Sequence, residues 1–145
     1  MLLSMQPLTQ AGTSGTPRPA AETEAIRRLL DRGGLIDITT TGRRSGEPRR
    51  IEIVFHNIDG RLIITGRASH RTRSWIHNLT ADPRLTFHIK GPLRADLAAH
   101  ARVITDPTER RAVADWVSTN AWHGVDPDAM AAYSPMIEVT LDEQV

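Results

Sequence analysis

Cysteine is absent from the sequence. That excludes a disulfide framework and any thiolate metal site, and it agrees with the reducing cytoplasm as the expected location. Aromatic residues are scarce at 4%, so aliphatic side chains must fill the core. No apolar run approaches the roughly 20 residues of a membrane helix. The opening MLLSMQPLTQ has neither a basic start nor a long apolar segment, so export and membrane spanning are not expected, and no motif favours peripheral membrane contact. The six histidines form no H-x-x-x-H or H-x-x-E-H array, which gives no reason to expect a metal. G-x-G-x-x-G and β-α-β alternation are also missing, which argues against a doubly wound nucleotide-binding fold.

What is present fits one domain. The chain has 145 residues, 39% of them hydrophobic, enough for a core of its own. Residues 1–19 are rich in Gly, Ser, Thr, Gln and Pro without periodicity and read as a flexible tail, leaving 20–145 as the folded unit. Ala25, Ile26, Leu29 and Leu30 mark one face of a helix over 20–31, with Gly33 beyond its end. Alternating, β-branched segments predict strands over 35–41, 50–58 and 61–65, the last two joined by an Asp59-Gly60 hairpin turn. Trp75 and Leu79, four apart, predict a helix over 69–81 that Asp82-Pro83 stops.

Strands over 84–90 and 93–104 follow, the second with alanine at many inward positions. Asp106-Pro107-Thr108-Glu109 is a capped helix start, predicting a helix to about Ala121 that buries Val113, Trp116 and Val117, with Trp122 also assigned to core. A polar connection and a last strand over 136–141 complete the chain. Hairpins predominate, so the expected fold is mainly β (α+β): a six-stranded antiparallel barrel, closed or half-closed, with flanking helices.

The stretch Thr39 to Arg50, TTTGRRSGEPRR, holds four arginines against one glutamate although the whole chain is only +1. Gly42 and Gly46 free the backbone for tight turning, and Ser45 adds a hydroxyl. Backbone N–H groups and arginine forks of this kind can wrap a phosphate or carboxylate. A hairpin connection made only for solubility has the same composition, so the loop alone does not decide between the two. Arg43, Arg44, Arg49, Arg67, Arg71 and Arg73 flank one hairpin and could converge on a polyanion.

Taken together, TTTGRRSGEPR, the Asp-Gly hairpin and IITGRASHRTRSWIHNLTADPRLTFHI resemble the deazaflavin-dependent nitroreductase family of the flavin/deazaflavin oxidoreductase superfamily. The resemblance covers about half the chain, residues 35–104. It implies a split β-barrel, FMN-binding-like, that acts as a homodimer. It also implies a reduced deazaflavin, coenzyme F-420, delivering hydride to a small-molecule acceptor: a quinone, an activated alkene or a nitro group.

By the same resemblance, Arg44 and Arg49 meet the cofactor's phosphate and acidic tail, within a loop that also includes Gly42, Arg43, Ser45 and Gly46. Thr65, Gly66, Arg67, Trp75 and Asn78 supply further contacts, and Tyr133 stands where the family has tyrosines near the substrate. The sequence departs from the family at 69–74 and at Ile76, where a glycine pair with proline and a tyrosine are common. FMN is the alternative cofactor, and a flavin-, haem- or lipid-binding barrel without turnover the alternative function. His56, His70 and His77 read as surface or satisfied core groups. A nucleic-acid partner is not expected, because the net charge is small and no aromatic residue is interleaved with the Arg43 to Arg50 cluster.

Overall fold

The computed structural model describes residues 17–143 and 145; most of the expected tail, residues 1–16, lies outside the described residues. The elements are α1 (Ala20–Arg32), β1 (Gly34–Thr41), β2 (Pro48–Ile58), β3 (Arg61–Thr65), α2 (Ser74–Ala81), β4 (Arg84–Ile89), β5 (Ala95–Val103), α3 (Pro107–Asn120), α4 (Pro127–Tyr133) and β6 (Met136–Leu141). All strand pairs are antiparallel, and the strands close in the order β1-β2-β3-β6-β5-β4.

Two-residue alternation decides which side chains enter the barrel. Ile36 and Ile38, Phe55, Leu62 and Ile64, Leu85, Phe87 and Ile89, Leu97 and Ala99, and Ile137 and Val139 form one buried cluster, joined by Ile26 and Leu30 of α1 and Trp75 and Leu79 of α2. Phe55 and Phe87 meet edge to face at 5.2 Å between centroids. Each fully buried aliphatic or aromatic side chain contributes about 1.5–3 kcal/mol. Ile63 points the other way and is still fully buried, because α3 and α4 cover that wall with Val113, Ala114, Val117 and Met130.

The same wall is tied by charge. Arg61 of β3 reaches Glu138 of β6 at 3.0 Å and Glu109 of α3 at 2.6 Å, and Arg102 of β5 reaches Glu138 at 2.7 Å and Glu109 at 2.6 Å. Arg102, then Arg61, holds the Glu109 carboxyl down to about 2, and Arg61, then Arg102, lowers Glu138 as well.

Four expectations are corrected. The helix expected over 69–81 begins at Ser74, because Arg73 is extended and the Ser69 hydroxyl accepts from Arg71 N at 3.1 Å, which makes a local turn instead. The polar connection after α3 contains a helix, α4, started by Asp126 accepting from Asp128 N at 3.0 Å and by Pro127 at the first position. Trp122 lies beyond the end of α3, and both it and Trp116 are only partly buried. Trp122 approaches the His56 ring edge-on at 5.1 Å, with Trp116 at 6.1 Å. His56 is therefore buried without being satisfied: its Nε2 has no partner among the described residues, and burial lowers its pKa.

Candidate anion and cofactor site

Register fixes where the arginine loop stands. Thr40 pairs with Arg49 and Thr41 with Pro48, so residues 42–47 cap the β1–β2 hairpin. Gly42 N donates to Glu47 O at 2.8 Å, and Gly46 N to Gly42 O at 2.8 Å. Gly46 takes φ 72°, the left-handed region that glycine enters without strain. Gly42 is favoured for another reason: a Cβ there would stand 2.6 Å from Ser45 Oγ and 3.2 Å from Glu47 O, so the Ser45 side chain would have to turn away.

Asn78 ties this turn to α2. Its Oδ1 accepts from Arg43 N at 3.0 Å and its Nδ2 donates to Thr40 Oγ1 at 3.1 Å. Both polar ends of a buried amide are thus engaged within the protein, which makes Asn78 an anchor for the loop as well as part of the wall.

Between loop and helix lies a cavity of about 460 Å³, lined by Thr40, Gly42, Arg43, Arg44, Ser45, Arg49, Arg50, Ile51, Ser74, Trp75 and Asn78. Trp75 belongs to the core and to this wall at once. The pairing of the arginines gives the cavity its character. Arg50 is held by Asp37 at 2.9 Å. Among the described residues, the side chains of Arg43 and Arg44 bond to nothing, and Arg49 reaches only the Ser45 hydroxyl at 3.3 Å. By contrast Arg61, Arg84, Arg102 and Arg111 all have carboxylate partners. Guanidinium groups with donors unengaged around one cavity suit a phosphate or carboxylate.

The remaining expected residues assemble elsewhere, on the β3–α2 connection. Thr65 Oγ1 donates to Pro135 O at 2.6 Å, and a Cβ on Gly66 would stand 3.3 Å from Pro135 Cγ. Arg73 Nη2 donates to Arg67 O at 2.9 Å, and Ser69 N to Tyr133 O at 3.3 Å. Tyr133, half exposed at the end of α4, lies against the His70 ring with centroids 4.3 Å apart.

Thr65, Gly66, Arg67 and Tyr133 therefore do not line the arginine cavity; the two patches meet through the N-terminus of α2. Of the six flanking arginines, three enter the cavity wall and Arg67, Arg71 and Arg73 do not. Thr40, Arg50, Ile51 and Ser74 were not singled out from sequence, although Arg50 adjoins Arg49 and Ser74 adjoins Trp75. His70 and Pro135 carried no signal, since only the fold brings the 65–70 and 133–135 segments together.

This closed six-stranded barrel with helices against its walls is a split barrel, the architecture of FMN-binding-like proteins. Solved structures share it: a FAD-binding protein of Mesorhizobium loti (15% identity, TM-score 0.59, covering 87% of this chain and 91% of that one) and General Stress Protein 26 of Bacillus anthracis (15%, 0.61, 83% and 88%). A haem storage protein of Vibrio cholerae is similar again (14%, 0.61, 88% and 92%). At such identities the likeness establishes the fold alone. No curated protein matches the sequence. The chain belongs to the F420H(2)-dependent quinone reductase family, whose profile matches residues 18–126. It is an oxidoreductase of the deazaflavin-dependent kind, and membership implies a small-molecule acceptor.

Proposed function

We propose that the cavity between the β1–β2 loop and α2 holds the phosphate and acidic tail of coenzyme F-420, and that the protein reduces a quinone, an activated alkene or a nitro compound. One observation carries this reading: Arg43, Arg44 and Arg49 converge on one cavity with no carboxylate partner among the described residues. When bound, the reduced deazaflavin supplies the hydride.

The chain's own residues bind, orient and protonate. Arg44 and Arg49 fix the anionic end, Arg43 and Ser45 complete the cradle, and Asn78 holds the loop against α2. Trp75 walls the cavity, and Thr65, Gly66 and Arg67 carry the contact towards the ring. Tyr133 O–H, half exposed beside that connection, is the donor of the proton that the reduced acceptor needs. The functional unit is taken to be a homodimer, to be checked by light scattering.

The test is titration with oxidised coenzyme F-420 and, in parallel, with FMN, using wild type and an Arg44→Ala, Arg49→Ala double variant. Each lost charged contact costs roughly 1.5–3 kcal/mol, so the double variant should bind F-420 at least a hundredfold more weakly. Equal binding by variant and wild type would refute the loop assignment, and binding of FMN alone would replace the cofactor.

A further inference from the structure

Arg110 belongs neither to the cavity nor to the charge network on the barrel wall. It sits on α3, partly buried, with no carboxylate partner among the described residues, and its guanidinium donates from all three nitrogens to backbone carbonyls. Nε reaches Ala131 O at 2.8 Å, Nη1 reaches Ile104 O at 2.9 Å and Nη2 reaches Ser134 O at 2.5 Å. Two of those carbonyls bracket Tyr133 in the chain. The neighbouring ones are held by the end of β3 and the connection after it: Tyr133 O accepts from Ser69 N, and Pro135 O from Thr65 Oγ1.

A helix as short as α4 does not persist alone in water, because a costly nucleus is followed by too few added bonds. Its last turn has no basic residue of its own. Arg110 supplies the missing positive charge at its C-terminal carbonyls from a different helix. Removing a guanidinium from water without an acid partner is unfavourable, and burial lowers the Arg110 pKa accordingly. An aliphatic side chain would brace α3 against α4 at less cost but could not grip these three carbonyls. The fork fixes direction.

We propose that Arg110 is a positioning residue that sets the orientation of Tyr133 against the β3–α2 connection and thereby governs the acceptor side of the reaction, leaving the arginine cavity untouched. This rests on the role given to Tyr133 above. The chain contains a single tyrosine, so biosynthetic 3-fluorotyrosine yields one fluorine resonance that reports on Tyr133 with no cofactor present.

In Arg110→Gln and Arg110→Lys that resonance should move or split well below the unfolding temperature. F-420 affinity should stay within about twofold, while kcat should fall about tenfold or more, as a misplaced reacting group requires. An unmoved resonance, or a loss of F-420 affinity as large as the loss of kcat, would overturn the proposal. If the glutamine variant does not fold, the lysine variant decides, because it keeps the charge and loses only the fork. Tyr133→Phe separates the two layers: full kcat in that variant removes the tyrosine's role, whereas the fluorine signal tests the positioning by itself.

Discussion

Replacing Asn78 by alanine tests whether the arginine loop is held from α2. The side chain makes two bonds, to Arg43 N and Thr40 Oγ1. Each is worth about 0.5–1.5 kcal/mol, and leaving the Thr40 hydroxyl buried without its partner adds about 1 kcal/mol. The loss should total about 2–4 kcal/mol, large beside the roughly 5–15 kcal/mol typical of a domain yet insufficient to unfold it. In Tm this is a fall of roughly 5–15 °C.

Because the Gly42–Glu47 and Gly46–Gly42 bonds remain, the turn keeps its shape and only its anchorage is lost. F-420 affinity should therefore drop about tenfold, or about 1.4 kcal/mol. Asn78→Asp should reverse the order of effects. A carboxylate still accepts from Arg43 N and from the Thr40 hydroxyl, so stability suffers less, but its charge opposes the anion and affinity suffers more. Urea denaturation and cofactor titration of both variants decide the matter. A cost below about 1 kcal/mol in the alanine variant, or tighter binding by the aspartate variant than by the alanine one, would refute the anchoring argument.

Other outcomes follow from the same structure. Gly42→Ala should lower stability and weaken anion binding, and adding Ser45→Ala should recover part of the stability but not the binding, since Ser45 Oγ is the nearest atom to the new Cβ and also belongs to the cradle; urea denaturation of the double variant measures the coupling. Stability should fall with acid in two separate windows, read by denaturation at successive pH values. The first begins below the ordinary histidine value of 6.5, because His56 is buried neutral with its folded pKa lowered and the unfolded chain takes up the proton first; His56→Phe should abolish it. The second opens below about 4.5 as protons compete for Glu109, whose folded value is about 2. After allowing for solvent screening it amounts to about 1–2 kcal/mol, and Glu109→Gln should flatten it.

Much of the barrel could be read from local pattern. Alternation through Ile36 and Ile38, through Leu62 and Ile64, and through Leu85, Phe87 and Ile89 marked strands at the observed places, because one buried face forces a period of two. The loop Gly42 to Arg49 was legible for a similar reason: its chemistry is contained in consecutive residues. What could not be read depends on contacts across the chain. The burial of His56 is decided by Trp116 and Trp122, far along the sequence, which cover it from outside the barrel. The partner of Thr65 is a carbonyl at Pro135, and no spacing rule pairs them. The α4 helix is a different kind of miss, since Asp126-Pro127 repeats the start signal of Asp106-Pro107, but Ala131, Ala132 and Tyr133 give no strong apolar period to continue it.

The place of β6 between β3 and β5 sets an order of assembly. β1, β2 and β3 are joined by short connections and can pair as soon as they exist, so the arginine turn forms among near neighbours in sequence. β3 and β5 are joined only through β6, the last of the six described strands in chain order. A chain growing from a ribosome therefore carries the arginine turn on an open sheet until residues 136–141 emerge. Only their arrival seals the barrel and brings Tyr133 to the β3–α2 connection. The proposed anion loop is early and local in the life of this molecule, and the proposed proton donor joins it only with β6.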